Sequence, residues 1–159
     1  MIAFLLAALL TSDLVKAPKQ PYLGFPWRIV ELRGANEMKI HPEYVIEESQ
    51  WDRLYGVDLP TADKKGYSGA RQDLEILLGR GEPEAFIEDE KRDPVIRNAT
   101  YVQYIWVYGK LLQFELVRDG WAKVNDEGRK GRYGKLLVAA EAEAQRFKAG
   151  LWGFSENLH

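Results

Sequence analysis

Short strand-like segments lie on both sides of one strongly periodic helix, and this order most restricts what the chain can fold into. Strand character runs from Trp27 to Ile40 through Ile29, Val30 and Leu32, and breaks at the turn-forming triplet Gly34-Ala35-Asn36. Met38 to Ile40 begins the return strand, and Tyr44 to Ile46 and Trp51 to Val57 continue the pattern. From Gly69 to Leu78, the residues Ala70, Leu74, Leu77 and Leu78 recur at helical spacing, and Gly79 and Gly81 end the run. Ala85-Phe86-Ile87 centres the next strand, and the aromatic, β-branched stretch Tyr101 to Tyr108 forms another before a turn at Gly109-Lys110. Leu112 to Asp119 reads as a short helix stopped by Gly120, Trp121 to Val124 as a short strand, and Asp126 to Gly134 as a charged loop. Lys135 to Lys148 is rich in helix formers, Gly150 caps it, and Leu151-Trp152 folds back. The order predicts a small antiparallel barrel with helices packed on it.

A chain of 159 residues suits one domain with one core. The 19 aromatics can fill a barrel interior and leave some rings for a surface contact. A formal net charge of -2 argues against a general grip on phosphate backbones, although clustering would still create a local basic patch. The absence of cysteine removes disulfides, thiolate metal sites and cysteine nucleophiles together. His41 and His159 are the only histidines, too few for a His-based zinc site or a Ser-His-Asp triad.

Three regions follow. Residues 1–26 combine an apolar segment with a linker carrying Pro18, Pro21 and Pro26; residues 27–153 form the barrel domain; residues 154–159 form a tail. The unbroken apolar run from Ile2 to Leu10 is far short of the ~20 residues that span a bilayer. It reads either as a retained docking helix or as a membrane-interface or targeting segment, although no Lys or Arg precedes it as in a signal peptide.

Five segments, in order, resemble the staphylococcal nuclease-like (thermonuclease) family. They are Arg53-Leu54-Tyr55-Gly56-Val57-Asp58-Leu59-Pro60; the helix bearing Ala70, Leu74, Leu77 and Leu78; Tyr104-Ile105 to Gly109-Lys110; Leu116-Val117-Arg118-Asp119-Gly120-Trp121-Ala122-Lys123-Val124; and Glu141 to Ala144 followed by Gly150-Leu151-Trp152. The resemblance implies an α+β fold, a five-stranded OB-fold barrel with about three α-helices.

It also implies a site for metal-assisted phosphodiester hydrolysis. That chemistry needs carboxylates to hold Ca²⁺, a carboxylate to activate water, and arginines to stabilise charge on the phosphoryl oxygens. Carried over position by position, Ala35 stands where the first metal-binding aspartate belongs, and Asp58 falls on the second metal carboxylate. Leu59 falls where a backbone carbonyl would bind the metal, and Thr61 replaces the catalytic glutamate. Arg53 matches the first phosphate-binding arginine, whereas Thr100 replaces the second. Glu31 and Glu37 flank the required corner without matching it, and Arg97 lies three positions early to substitute for the lost arginine. Three of five side-chain roles are missing, so no catalysis, metal or cofactor is expected; Arg53 and Asp58 are expected to persist as a structural ion pair or turn bond.

Other charged groups read as structural. His41, beside Pro42, is expected in a solvent-facing loop, and Glu82, Glu84, Glu88, Asp89 and Glu90 as a solvated acidic face. Lys123, Arg129, Lys130, Arg132 and Lys135 cluster near the last loop and are expected to keep it soluble; phosphates or an acidic partner are the functional alternative. The favoured function is an inactive structural or interaction subunit, binding other protein subunits through Ile2 to Leu10 and the barrel surface, with membrane-surface contact also open. An organellar, mitochondrial or membrane-associated assembly is the expected setting, with secretion behind a signal peptide as the alternative. The competing functions are a single-stranded nucleic-acid-binding module, using rings among Tyr101, Tyr104, Trp106 and Tyr108, and a Ca²⁺-dependent nuclease with a rearranged site.

Overall fold

The computed structural model describes residues 14–44, 48–91 and 95–154; the Ile2 to Leu10 run and most of the tail lie outside them. The strands are β1 (Trp27–Arg33), β2 (Glu37–Pro42), β3 (Gln50–Leu54), β4 (Val57–Asp58), β5 (Glu84–Glu88), β6 (Val95–Arg97), β7 (Thr100–Val107), β8 (Lys110–Leu111) and β9 (Lys123–Val124). The helices are α1 (Tyr67–Leu78), α2 (Leu112–Arg118), α3 (Asp126–Lys130) and α4 (Gly134–Arg146), followed by a 3₁₀ turn at Gly150–Gly153. Strands run side by side in the order β3, β2, β1, β5, β7, and a further pairing of β3 with β7 closes the ring into a five-stranded barrel. That closing seam is parallel, so the barrel is not antiparallel throughout: Trp51 lies opposite Thr100 and Leu54 opposite Gln103.

Alternation places Met38 and Ile40 inside, and the near-continuous apolar run of β7 is buried because β7 pairs with β3, β5, β6 and β8. Of the four rings singled out in this region, Tyr104 and Trp106 are fully buried, Tyr101 is half-buried and Tyr108 is exposed. Helix α2 is almost wholly buried and packs against α4. Its Gln113 amide accepts from Ile105 N (3.3 Å) and donates to Gln103 O (2.9 Å), satisfying backbone groups of β7.

The predicted charged loop after β9 starts as helix α3, so that four α-helices occur among the described residues where about three are expected. Asn125 caps it by accepting from Gly128 N (3.0 Å), and Asp126 and Glu127 occupy the electropositive first turn. Gly128 lies so close to Gly56 that a Cβ on either would strike the other's backbone, pinning α3 to the β3–β4 turn. His41 belongs to β2 rather than a loop, with Nδ1 3.2 Å from Ser49 Oγ. Tyr44 lies outside any strand, and the strand predicted from Trp121 to Val124 contracts to β9, Lys123–Val124. The proline-rich linker has no regular secondary structure, but Val15 and Leu23 pack against the core and Val15 N donates to Glu143 Oε2 (2.8 Å).

The acidic stretch 82–90 is only partly solvated. Glu82 and Glu84 are exposed, but Glu88 is buried at the end of β5. Its carboxylate accepts from Trp106 Nε1 (2.9 Å), Tyr133 OH (2.8 Å) and the Arg132 guanidinium. Glu90 accepts from Tyr104 OH (2.6 Å) and Arg132 N (2.9 Å), and Asp89 from Gln103 Nε2 (2.5 Å). This network ties the barrel to the α3–α4 junction. Glu88→Ala leaves Trp106 Nε1 buried without an acceptor and frees Arg132, so it should cost about 3 kcal/mol in denaturant unfolding. Glu84→Ala, on the exposed side of the same strand, should be near neutral.

Asp52 on the closing seam is fully buried. Its Oδ1 accepts from Gln50 Nε2 (2.8 Å), while Oδ2 has no partner. Burial pushes its carboxyl up to about 7, against the downward pull of the Gln50 bond and with a further push from the Asp89 charge. The unfolded carboxyl ionises near 4, so between roughly pH 4 and 7 only the folded state holds this proton, and stability falls as pH rises through that window. Thermal melts from pH 5 to 8 should show Asp52→Asn removing a pH-dependent loss of about 3 kcal/mol. Equal slopes for both proteins would contradict the assignment.

Candidate functional site

The β1–β2 corner, the end of β3 and the chain after β4 enclose a pocket of about 390 Å³. Gly34 turns the corner with φ 68°, and its carbonyl accepts from Arg71 Nη1 of α1 (2.6 Å). Asn36 Oδ1 accepts from Leu54 N of β3 (3.3 Å). The corner is thereby fixed to a strand and a helix, and it brings Ala35, Arg53, Leu59 and Thr61 to one pocket.

The chemistry those positions carry is narrow. Ala35 is buried and offers a methyl group. Thr61 is exposed, and its hydroxyl donates to Asp63 Oδ1 (2.5 Å). Among the lining residues Glu37 is the one carboxylate, and both its oxygens are engaged. One accepts from Arg53 Nη2, directly opposite in the β2–β3 register; the other accepts from Arg33 Nε (2.6 Å). The Arg33 guanidinium lies 4.1 Å from the centre of the Trp51 ring. Burial alone would raise the Glu37 pKa, but the hydrogen bonds from Arg53 and then Arg33 outweigh it and hold the carboxyl below its ordinary value.

Asp58 does not pair with Arg53, contrary to expectation. β4 pairs with β9, so the exposed Asp58 faces the C-terminal side and accepts from Asn125 Nδ2 (3.1 Å). It lines an adjoining pocket of about 340 Å³ with Lys65, Lys123, Leu151 and Phe154. Leu59-Pro60 borders both pockets. Thr100 is buried at the start of β7 and lines neither pocket; Arg97 is ion-paired with Glu127. Among the described residues, no three His, Cys, Asp or Glu side chains gather where they could hold a metal ion. Of the basic cluster near the last loop, Arg129 is paired with Glu141 (3.0 Å) and Arg132 with Glu88, so those two serve the fold.

The arrangement can present guanidinium donors to an anion, but it places no free carboxylate beside them. The Glu37 clamp was missed because it depends on the β2–β3 register. The signal available was an acidic residue at the start of β2, with Arg33 and Arg53 as candidate partners. Because the folded Glu37 carboxyl is held low, its contribution is present above the unfolded pKa and lost as pH falls through the folded one. Glu37→Gln should therefore cost about 1 kcal/mol at pH 7, and the cost should shrink as pH falls, as read from urea unfolding at a series of pH values from 7 downward.

The family profile described as staphylococcal nuclease homologue matches residues 53–153, from β3 to the 3₁₀ turn. No curated relative matches the chain at a significant level. The matched region spans well over half of the sequence and carries the closing seam, the helical layer and one wall of the corner pocket, and the chain therefore belongs to the staphylococcal nuclease homologue family.

Proposed function

We propose that this domain is a catalytically silent nuclease barrel that serves as an interaction subunit of a larger protein assembly. The observation that carries the reading is the Glu37 clamp: the pocket's one lining carboxylate gives both oxygens to arginines. A Ca²⁺ ion needs several oxygen ligands, and attack on phosphorus needs a base near the water. Ala35 supplies neither, the Thr61 hydroxyl is spent on Asp63, and Asp58 belongs to the neighbouring pocket. The apolar run from Ile2 to Leu10, joined to the barrel by a proline-rich linker, supports an anchoring role.

Incubation of the full chain with labelled single- and double-stranded DNA and RNA, in excess Ca²⁺, should give no cleavage above the protein-free control. Asp58→Ala should behave identically. Ca²⁺-dependent cleavage abolished by Asp58→Ala would overturn the inactive assignment. In native extracts the tagged full chain should migrate within an assembly much larger than itself; a free monomer would overturn the subunit assignment.

A further inference from the structure

The two pockets that share Leu59-Pro60 together form a groove whose charge opposes that of the whole chain. Arg33 and Arg53 line one half, and Lys65 and Lys123 the other. Against these four cations the lining contains two carboxylates, Glu37 and Asp58, which leaves a local excess of two positive charges on a chain of net charge -2. Glu37 is occupied by both arginines, and Asp58 by Asn125. The edge shared by the two halves is aliphatic, Leu59-Pro60, and Ala35, Ala62 and Leu151 add apolar lining, with Tyr67 beside them.

The aromatic rings beside the groove distinguish between classes of anionic partner. Arg33 covers Trp51 at 4.1 Å, Lys65 Nζ covers Phe154 at 4.6 Å, and Lys123 Nζ covers Trp152 at 4.8 Å, each measured to the ring centre. A single-strand binding groove gains its affinity by stacking bases on open ring faces. Here each of these three rings already carries a cation on one face, and Tyr67 is the remaining ring in the lining. The same cations, set around an aliphatic ridge, suit carboxylates alternating with aliphatic side chains in an extended peptide.

We propose that this groove is a docking site for an acidic, aliphatic peptide segment of a protein partner, with carboxylates at the Arg33/Arg53 and Lys65/Lys123 ends and aliphatic groups on Leu59-Pro60. The assignment rests on the interaction-subunit reading and names its partner chemistry. Lys65 and Lys123 are exposed, so replacing them probes the groove without disturbing the core.

The test is fluorescence anisotropy on the full chain in EDTA, with a labelled octapeptide alternating Glu and Leu, its Gln-for-Glu counterpart, and a labelled ten-nucleotide oligo-dT. The acidic peptide should bind at least tenfold more tightly than the Gln peptide and more tightly than the oligonucleotide. The double substitution Lys65→Gln and Lys123→Gln should weaken acidic-peptide binding at least tenfold while leaving the melting temperature within a few degrees of wild type. Equal affinity for the Glu and Gln peptides, tighter binding of oligo-dT, or an unchanged affinity in the double variant would each overturn the proposal. EDTA removes Ca²⁺-dependent cleavage from this readout, so failure here is distinct from failure of the inactive assignment.

Discussion

The buried carboxylate of Glu88 is the constraint on which the relation between barrel and helices depends. A charge at the end of β5, inside the protein, is tolerable only where donors surround it. Trp106 supplies one from the barrel wall; Tyr133 and Arg132 supply two from the junction that precedes α4. One anion therefore fixes the position of the last helix relative to β5 and β7. Tyr104, edge-on to both Tyr55 and Tyr133, fills the space beside it and carries the same junction to Tyr55 just after β3, while its hydroxyl donates to Glu90.

Much of the barrel was legible because its signals are local. Alternation through Met38 and Ile40, the helical face of Ala70, Leu74 and Leu78, and the apolar run of β7 each follow from a few adjacent residues. What was hidden depends on contacts between distant segments. The parallel β3–β7 seam leaves no mark in either strand, since both simply read as half-buried or buried β structure. Glu88 looked like part of a solvated face because its donors come from Trp106, Arg132 and Tyr133, remote in sequence. Helix α3 is the exception, because Asn125 followed by Asp126 and Glu127 is a readable start signal that the charge and glycine content of the stretch obscured.

The site divides along the same line. Ala35, Arg53 and Thr61 could be assigned from motif order, and the fold does bring those positions to one pocket. The position of Asp58 could not, because β4 pairs with β9 and carries it to the other side of Leu59-Pro60. Nor could Arg33, which gains its place from stacking on Trp51 and bonding Glu37. The corner keeps a supported turn while its charged groups are arranged around arginines rather than around oxygen ligands.

The parallel seam has a consequence for how the chain reaches this state. Antiparallel neighbours β1 and β2 are joined by a three-residue turn and can pair as soon as both exist. Residues 51–54 must instead wait for residues 100–103, with β4, α1, β5 and β6 in between. Closing so long a loop is entropically costly before the seam yields any contact, which slows topologies rich in distant pairings. The barrel is therefore expected to remain an open, curved sheet early in folding and to become a ring only when β7 docks. During that interval the edge of β3 is the exposed template on which mispairing with another chain can begin.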